Sequence, residues 1–90
     1  MTAAAIRGLL TSKAVIGFIG SFYAYEGLDL LLEALPAIIE QKPDVSVLLV
    51  GGGPQEANLR HQAEQLGLKD VVIFAGRVPH KEVGRYYDLI

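Results

Sequence analysis

The sequence predicts an α/β fold: a three-layer, Rossmann-like half-domain with a parallel sheet in the order β-α-β-α-β-α. Three observations carry this. Short apolar runs of strand length recur at residues 14–19, 45–50 and 71–75, none alternating with polar residues, so both faces of each are expected to be covered. Each run ends at glycine, at Gly20, Gly51 and Gly76. The intervening segments carry helical periodicity and are long enough to cross over, which implies parallel strands joined by right-handed connections.

Residues 1–13 hold one arginine and no long apolar core, so they read as a frayed lead-in or the stump of a helix, and residues 14–90 as the domain proper. The first strand, 14–19, feeds the loop Gly20-Ser21-Phe22-Tyr23-Ala24-Tyr25-Glu26-Gly27. Residues 28–41 then place Leu28, Leu31, Leu32, Leu35, Ile38 and Ile39 at helical spacing. Leu30 and Ala34 widen that stripe, so a more buried helix than an ordinary surface one is expected. Pro36 cannot donate to the carbonyl of Leu32, and a kink costing about 3 kcal/mol is expected there. Pro43-Asp44 ends the segment.

The second strand, 45–50, runs into Gly51-Gly52-Gly53-Pro54. Glycines permit positive φ and close backbone approach, and proline suits the first helical position. The helix expected over 54–66 has a narrow stripe of Leu59, Ala63 and Leu66, with Glu56–Arg60 and Arg60–Glu64 at i,i+4 spacing. Gly67 is placed as its C′ glycine, with Leu68 making the accompanying apolar contact. The third strand, 71–75, leads through Gly76-Arg77-Val78-Pro79-His80 into a helix from Lys81 that continues to Ile90.

Composition narrows the function classes. The chain is 51% hydrophobic over 90 residues, rich for a domain this short and suggestive of a core built to pack against more protein. Eight Lys and Arg against ten Asp and Glu give a net charge of −2, which leaves no electrostatic footprint for nucleic acid. Cysteine is absent, and His61 and His80 fall on different elements, so no metal site or disulfide is expected. No run approaches the ~20 apolar residues of a membrane helix, and a cytoplasmic location is the expectation.

In open parallel sheets, ligands bind at the carboxyl ends of the strands. That edge gathers the loops at 20–27, 51–54 and 76–80, each followed by a helix N-terminus with free N–H groups and a positive dipole end. The edge is a reasonable nucleotide or anion site, although every parallel α/β domain has one. Neither a phosphate-binding GxxxxGK[ST] motif nor a full GxGxxG is present, which disfavours an ATPase or a dinucleotide dehydrogenase. Asp29 and Glu33 read as dipole-favoured carboxylates on the polar side of a helix, whereas Glu26 sits in the loop beside the expected ligand edge. Tyr23 and Tyr25 read as packing residues, His80 as a capping or surface residue, and Tyr86-Tyr87 as core and rim. Arg77 is within reach of a phosphate at the sheet edge, but lone arginines are usually solvated.

Taken in order, Gly17-Phe18-Ile19-Gly20-Ser21-Phe22, Tyr25-Glu26-Gly27-Leu28-Asp29-Leu30-Leu31-Leu32-Glu33-Ala34-Leu35, Leu48-Leu49-Val50-Gly51-Gly52-Gly53-Pro54 and Val72-Ile73-Phe74-Ala75-Gly76-Arg77-Val78 form a specific series. It resembles the start of the C-terminal domain of group 1 glycosyltransferases, retaining enzymes of GT-B architecture that use nucleotide sugars. The resemblance runs from about Ala14 to Ile90. It implies that Gly20, Ser21, Glu26 and Gly27, with Gly51, Gly52 and Gly53, face the donor diphosphate. Backbone groups of Gly76, Arg77 and Val78 would meet the nucleobase. The nucleotide sugar is then a substrate, and neither a metal nor another cofactor is expected. Many members carry basic residues where Ser21 and Glu26 stand, which weakens diphosphate binding by the first loop.

The resemblance also implies a partner: the family's N-terminal acceptor domain and a later acidic motif have no counterpart in these residues. The expectation is a glycosyltransferase fragment, inactive alone, with no catalytic residue of its own. Two rival readings are a small nucleotide- or phosphate-binding module and a self-associating structural domain. The last follows from a 3-2-1 strand order, which leaves the edge of strand 14–19 unpaired.

Overall fold

The computed structural model describes Ile6, residues 14–23 and residues 27–90. Strand β1 (Ala14–Ser21), helix α1 (Leu28–Gln41), β2 (Val45–Gly52), α2 (Glu56–Gln65), β3 (Val72–Gly76), a 3₁₀ turn (His80–Glu82) and α3 (Val83–Tyr87) follow in chain order. The strands form one parallel sheet in the order β1-β2-β3. The α/β class, the parallel pairing and the alternation are as the sequence predicts.

β2 is the central strand, and its apolar run Val45 to Val50 is buried throughout. The pleat sends alternate residues to opposite faces. Val47 and Leu49 join Leu28, Leu32 and Leu35 of α1 and Leu59 and Ala63 of α2 in one core. Leu48 and Val50 join Ile6, Tyr86 and Leu89 in a second core on the other face. Helices thus cover both sides of the sheet, giving three layers. Ile6 is helical and fully buried in the second core. The other residues of the expected lead-in, with Ala24, Tyr25 and Glu26, lie outside the described residues.

Three expectations about packing are corrected. β1 is not covered on both faces: Ala14, Ile16 and Gly20 are exposed. Leu30 does not widen the buried stripe of α1 but stands 65% exposed. It lies two residues, about 200° around the helix, from Leu28, which is buried. Leu66 is not a core residue either. The helix ends there, and Leu68 is buried in its place.

That helix end is a full Schellman motif. The Leu68 amide donates to the Ala63 carbonyl at 2.8 Å and the Gly67 amide to the Glu64 carbonyl at 3.1 Å, with Gly67 at φ 72. Leu68 and Ala63 then share the first core, the apolar contact expected of the motif. Pro36 lies on the exposed side of α1, which continues as one helix to Gln41.

Element ends also differ from expectation. β1 and β2 run two residues further, to Ser21 and Gly52, because the ladder pairs backbone groups and does not need side chains. α2 starts at Glu56, with Pro54 and Gln55 in the preceding turn, and the last helix starts through a 3₁₀ turn and ends at Tyr87. Tyr86 is buried and Tyr87 exposed, so the pair does divide between core and rim.

Candidate functional site

The carboxyl ends of β1, β2 and β3 reach one edge of the sheet. Gly20 stands opposite Gly51, and Ser21 opposite Gly52. The two chains approach so closely that a Cβ on Gly51 would collide with the carbonyl oxygen of Gly20. Gly51 also has φ 127, outside the range of ordinary L-residues. Glycine is therefore required there by contact and by conformation together.

Phe22 fastens the first loop to the second. Its N–H donates to the Gly52 carbonyl at 3.0 Å, and its carbonyl accepts from the Gln55 N–H at 3.1 Å. The Glu56 N–H in turn donates to the Gly53 carbonyl at 3.2 Å. At the start of α2 the Gln55 and Glu56 N–H groups are therefore engaged by the protein. The ring of Phe22 is buried, tilted against Phe18 with centroids 6.0 Å apart, so the fastening point is anchored in the core.

The third loop enters through an irregularity. β3 slips register against β2, so that Leu49 pairs with Phe74 and Val50 with Gly76, leaving Ala75 unmatched. Such bulges re-aim the side chains that follow. Val78 packs into the second core, while Arg77 turns across the glycine turn of β2. A Cβ on Gly52 would lie 3.3 Å from Arg77 Nε and 2.8 Å from Glu56 Oε1.

These elements enclose a cavity of about 190 Å³ lined by Ile19, Gly20, Ser21, Val50, Gly51, Arg77, Val78 and Val83. Five of the ten residues singled out in the sequence thus meet: Gly20, Ser21, Gly51, Arg77 and Val78. Gly52, Gly53 and Gly76 shape the turns around them without lining the cavity. Gly27 is elsewhere, as the left-handed N-cap of α1 at φ 76, and Glu26 lies outside the described residues. Val83, from the first turn of α3, also lines the cavity, although the sequence analysis does not single it out as a site residue.

The other candidates fall away from the cavity. Tyr23 lines a separate cleft of about 80 Å³ between the starts of α1 and α2. Asp29 and Glu33 are exposed on α1, and His80 is exposed where the 3₁₀ turn begins. Among the described residues no group of three His, Asp or Glu is placed to hold a metal ion.

Comparison with known proteins adds independent findings. The family model described as "Glycosyl transferases group 1" matches residues 3–89. GDP-mannose-dependent alpha-(1-6)-phosphatidylinositol monomannoside mannosyltransferase of Mycolicibacterium smegmatis is 30% identical over 78 residues, covering 87% of this chain and 20% of that protein. O-antigen chain mannosyltransferase C of Escherichia coli is 44% identical over 55 residues, covering 61% of this chain and 14% of that protein. The chain thus spans about a fifth or less of the length of these relatives. Among solved structures, the C-terminal domain of a glycosyl transferase group 1 family protein (LpcC) from Francisella tularensis superposes with a TM-score of 0.74 at 22% identity, over 88% of this chain and 44% of that one. Anabaena Alr3699/HepE, solved in complex with UDP and glucose, gives a TM-score of 0.65 at 25% identity, over 86% of this chain and 22% of that one.

Proposed function

The chain belongs to the group 1 glycosyl transferase family, and from that premise we propose that it forms part of the donor site of an enzyme that moves a sugar from a nucleotide sugar to an acceptor with retention. The observation that carries this reading is the convergence of Gly20, Ser21, Gly51, Arg77 and Val78 on one cavity at the carboxyl edge of a parallel sheet. That edge is where open α/β sheets take their ligands. A relative of the same fold is known with UDP and glucose bound, which supports a nucleotide sugar as the ligand class.

In this reading residues 14–90 form the first half of the nucleotide-sugar-binding domain, and the acceptor is held by a second domain. The reaction is assigned to the cytoplasm, and no residue is given a metal or cofactor role. These ninety residues bind a nucleoside diphosphate weakly and do not turn over a nucleotide sugar, because the acceptor side of the site lies in another domain. NMR titration with UDP, GDP and ADP tests the binding. Saturable shifts at Gly51 to Gly53 and Gly76 to Val78 are the expected result. No shift up to millimolar nucleotide, or turnover by the chain alone, overturns the reading.

A second reading, self-association through β1, is favoured by one observation. β1 has a single partner strand among the described residues and leaves Ile16 exposed beside an apolar groove of about 470 Å³. Unpaired apolar strand edges recruit other strands.

A further inference from the structure

The three glycine turns are not equivalent as anion sites. At the start of α2 the Gln55 and Glu56 N–H groups are already engaged, by the carbonyls of Phe22 and Gly53. A carboxylate also stands there: Glu56 Oε1 lies 2.8 Å from the position a Gly52 Cβ would take. At this helix start two donors are therefore taken, and the Glu56 carboxylate, paired with Arg60, stands beside the turn.

Arg77 reaches the same turn from the third loop. Among the described residues lining the cavity of Ser21, Gly51 and Val83, Arg77 is the one charged side chain. It makes no salt bridge with a described residue. Glu56, a carboxylate beside the turn, is committed through Oε2 to Arg60 at 3.1 Å. The Arg77 side chain is exposed, and its neighbours shape its path. Its backbone follows the bulge at Gly76, Val78 is anchored in the second core, and the missing side chain of Gly52 gives the guanidinium stem room to cross the turn. At about 190 Å³ the cavity falls below the ~300–1,000 Å³ of a whole small-ligand pocket, so it suits one group of a ligand.

We propose that Arg77 is the residue that binds the diphosphate of the nucleotide donor in this chain, drawing it into the Ser21–Gly51–Val83 cavity. The inference rests on the donor-site reading above. A guanidinium offers a planar fork of donors matched to phosphate oxygens, and an arginine so used is poorly replaced by a neutral residue. Gly52 is a positioning residue: it acts by leaving Arg77 its path.

Isothermal titration of the chain with UDP and with GDP tests this, on wild type and on Arg77→Gln, Arg77→Lys and Gly52→Ala. Arg77→Gln is expected to weaken both nucleotides at least tenfold with an unchanged thermal midpoint, and Arg77→Lys to recover at least a third of the lost affinity on a logarithmic scale. Gly52→Ala, which crowds both the Glu56 carboxylate and Arg77 without demanding an unusual φ, is expected to weaken binding severalfold. If wild type binds and Arg77→Gln binds equally well, the Arg77 assignment is wrong and the donor-site reading stands. A loss confined to one nucleobase overturns it too, because the diphosphate is common to both ligands. So does a loss that Arg77→Lys does not relieve and that tracks a fall in thermal midpoint. If wild type binds neither nucleotide, both readings fail.

Discussion

Among the glycines of the sheet edge, Gly51 is under the tightest constraint. A methyl group there meets the Gly20 carbonyl oxygen, which belongs to the paired strand and cannot rotate away, and φ 127 adds conformational cost. Gly27 has a comparable left-handed φ of 76 but open space around its Cβ position. Gly27→Ala should therefore cost only the ~1–2 kcal/mol of a left-handed L-residue. Gly51→Ala should cost more than ~3 kcal/mol, strain and clash combined. Urea denaturation of the two variants measures the difference, and equal midpoints would disprove the ranking. The importance of the Gly51 turn was legible in the sequence, because three glycines after an apolar run have few other uses. The neighbour that makes Gly51 irreplaceable was not, since it lies thirty-one positions earlier, at Gly20, and meets it only through strand pairing.

At the scale of elements, α1 shows what periodicity does and does not give. Leu28, Leu32 and Leu35 are buried as the spacing predicts, yet Leu30 is equally apolar and faces outward. Composition suggested a helix buried around more of its girth; geometry allows one face. Leu32→Ala should lower stability by about 2–5 kcal/mol by opening a cavity in the core, whereas Leu30→Ala should stay within about 0.5 kcal/mol. Thermal or urea unfolding of both variants checks the prediction, and a large loss for Leu30→Ala would mean that its face is covered in solution. α2 repeats the lesson with charge. Both Glu56–Arg60 and Arg60–Glu64 have the right spacing, but among the described residues only the first forms a salt bridge. Arg60 is drawn instead over the ring of Phe74, 4.6 Å from its centroid, a β3 contact that no helix-local rule supplies.

For the molecule as a whole, the sheet is asymmetric. β2 is closed on both sides and both faces, while β1 has one partner among the described residues and a half-exposed face. The apolar runs of the sequence look alike and do not announce this difference; only strand order does. Self-association through β1 should appear as a molar mass that rises with concentration in light scattering. A constant monomer mass up to ~100 μM would count against it, a threshold set by how readily open edges pair.

The double bond pattern of Phe22 has a consequence for how this edge tolerates change. Phe22 reads Gly52 on one side and Gln55 on the other, across only two intervening residues, Gly53 and Pro54. That span has no slack: one residue inserted between Gly52 and Gln55 moves one of the two bonding partners out of reach. An insertion at the second turn therefore breaks the link between the first loop and α2, whereas among the described residues the third loop carries no such bond to Phe22.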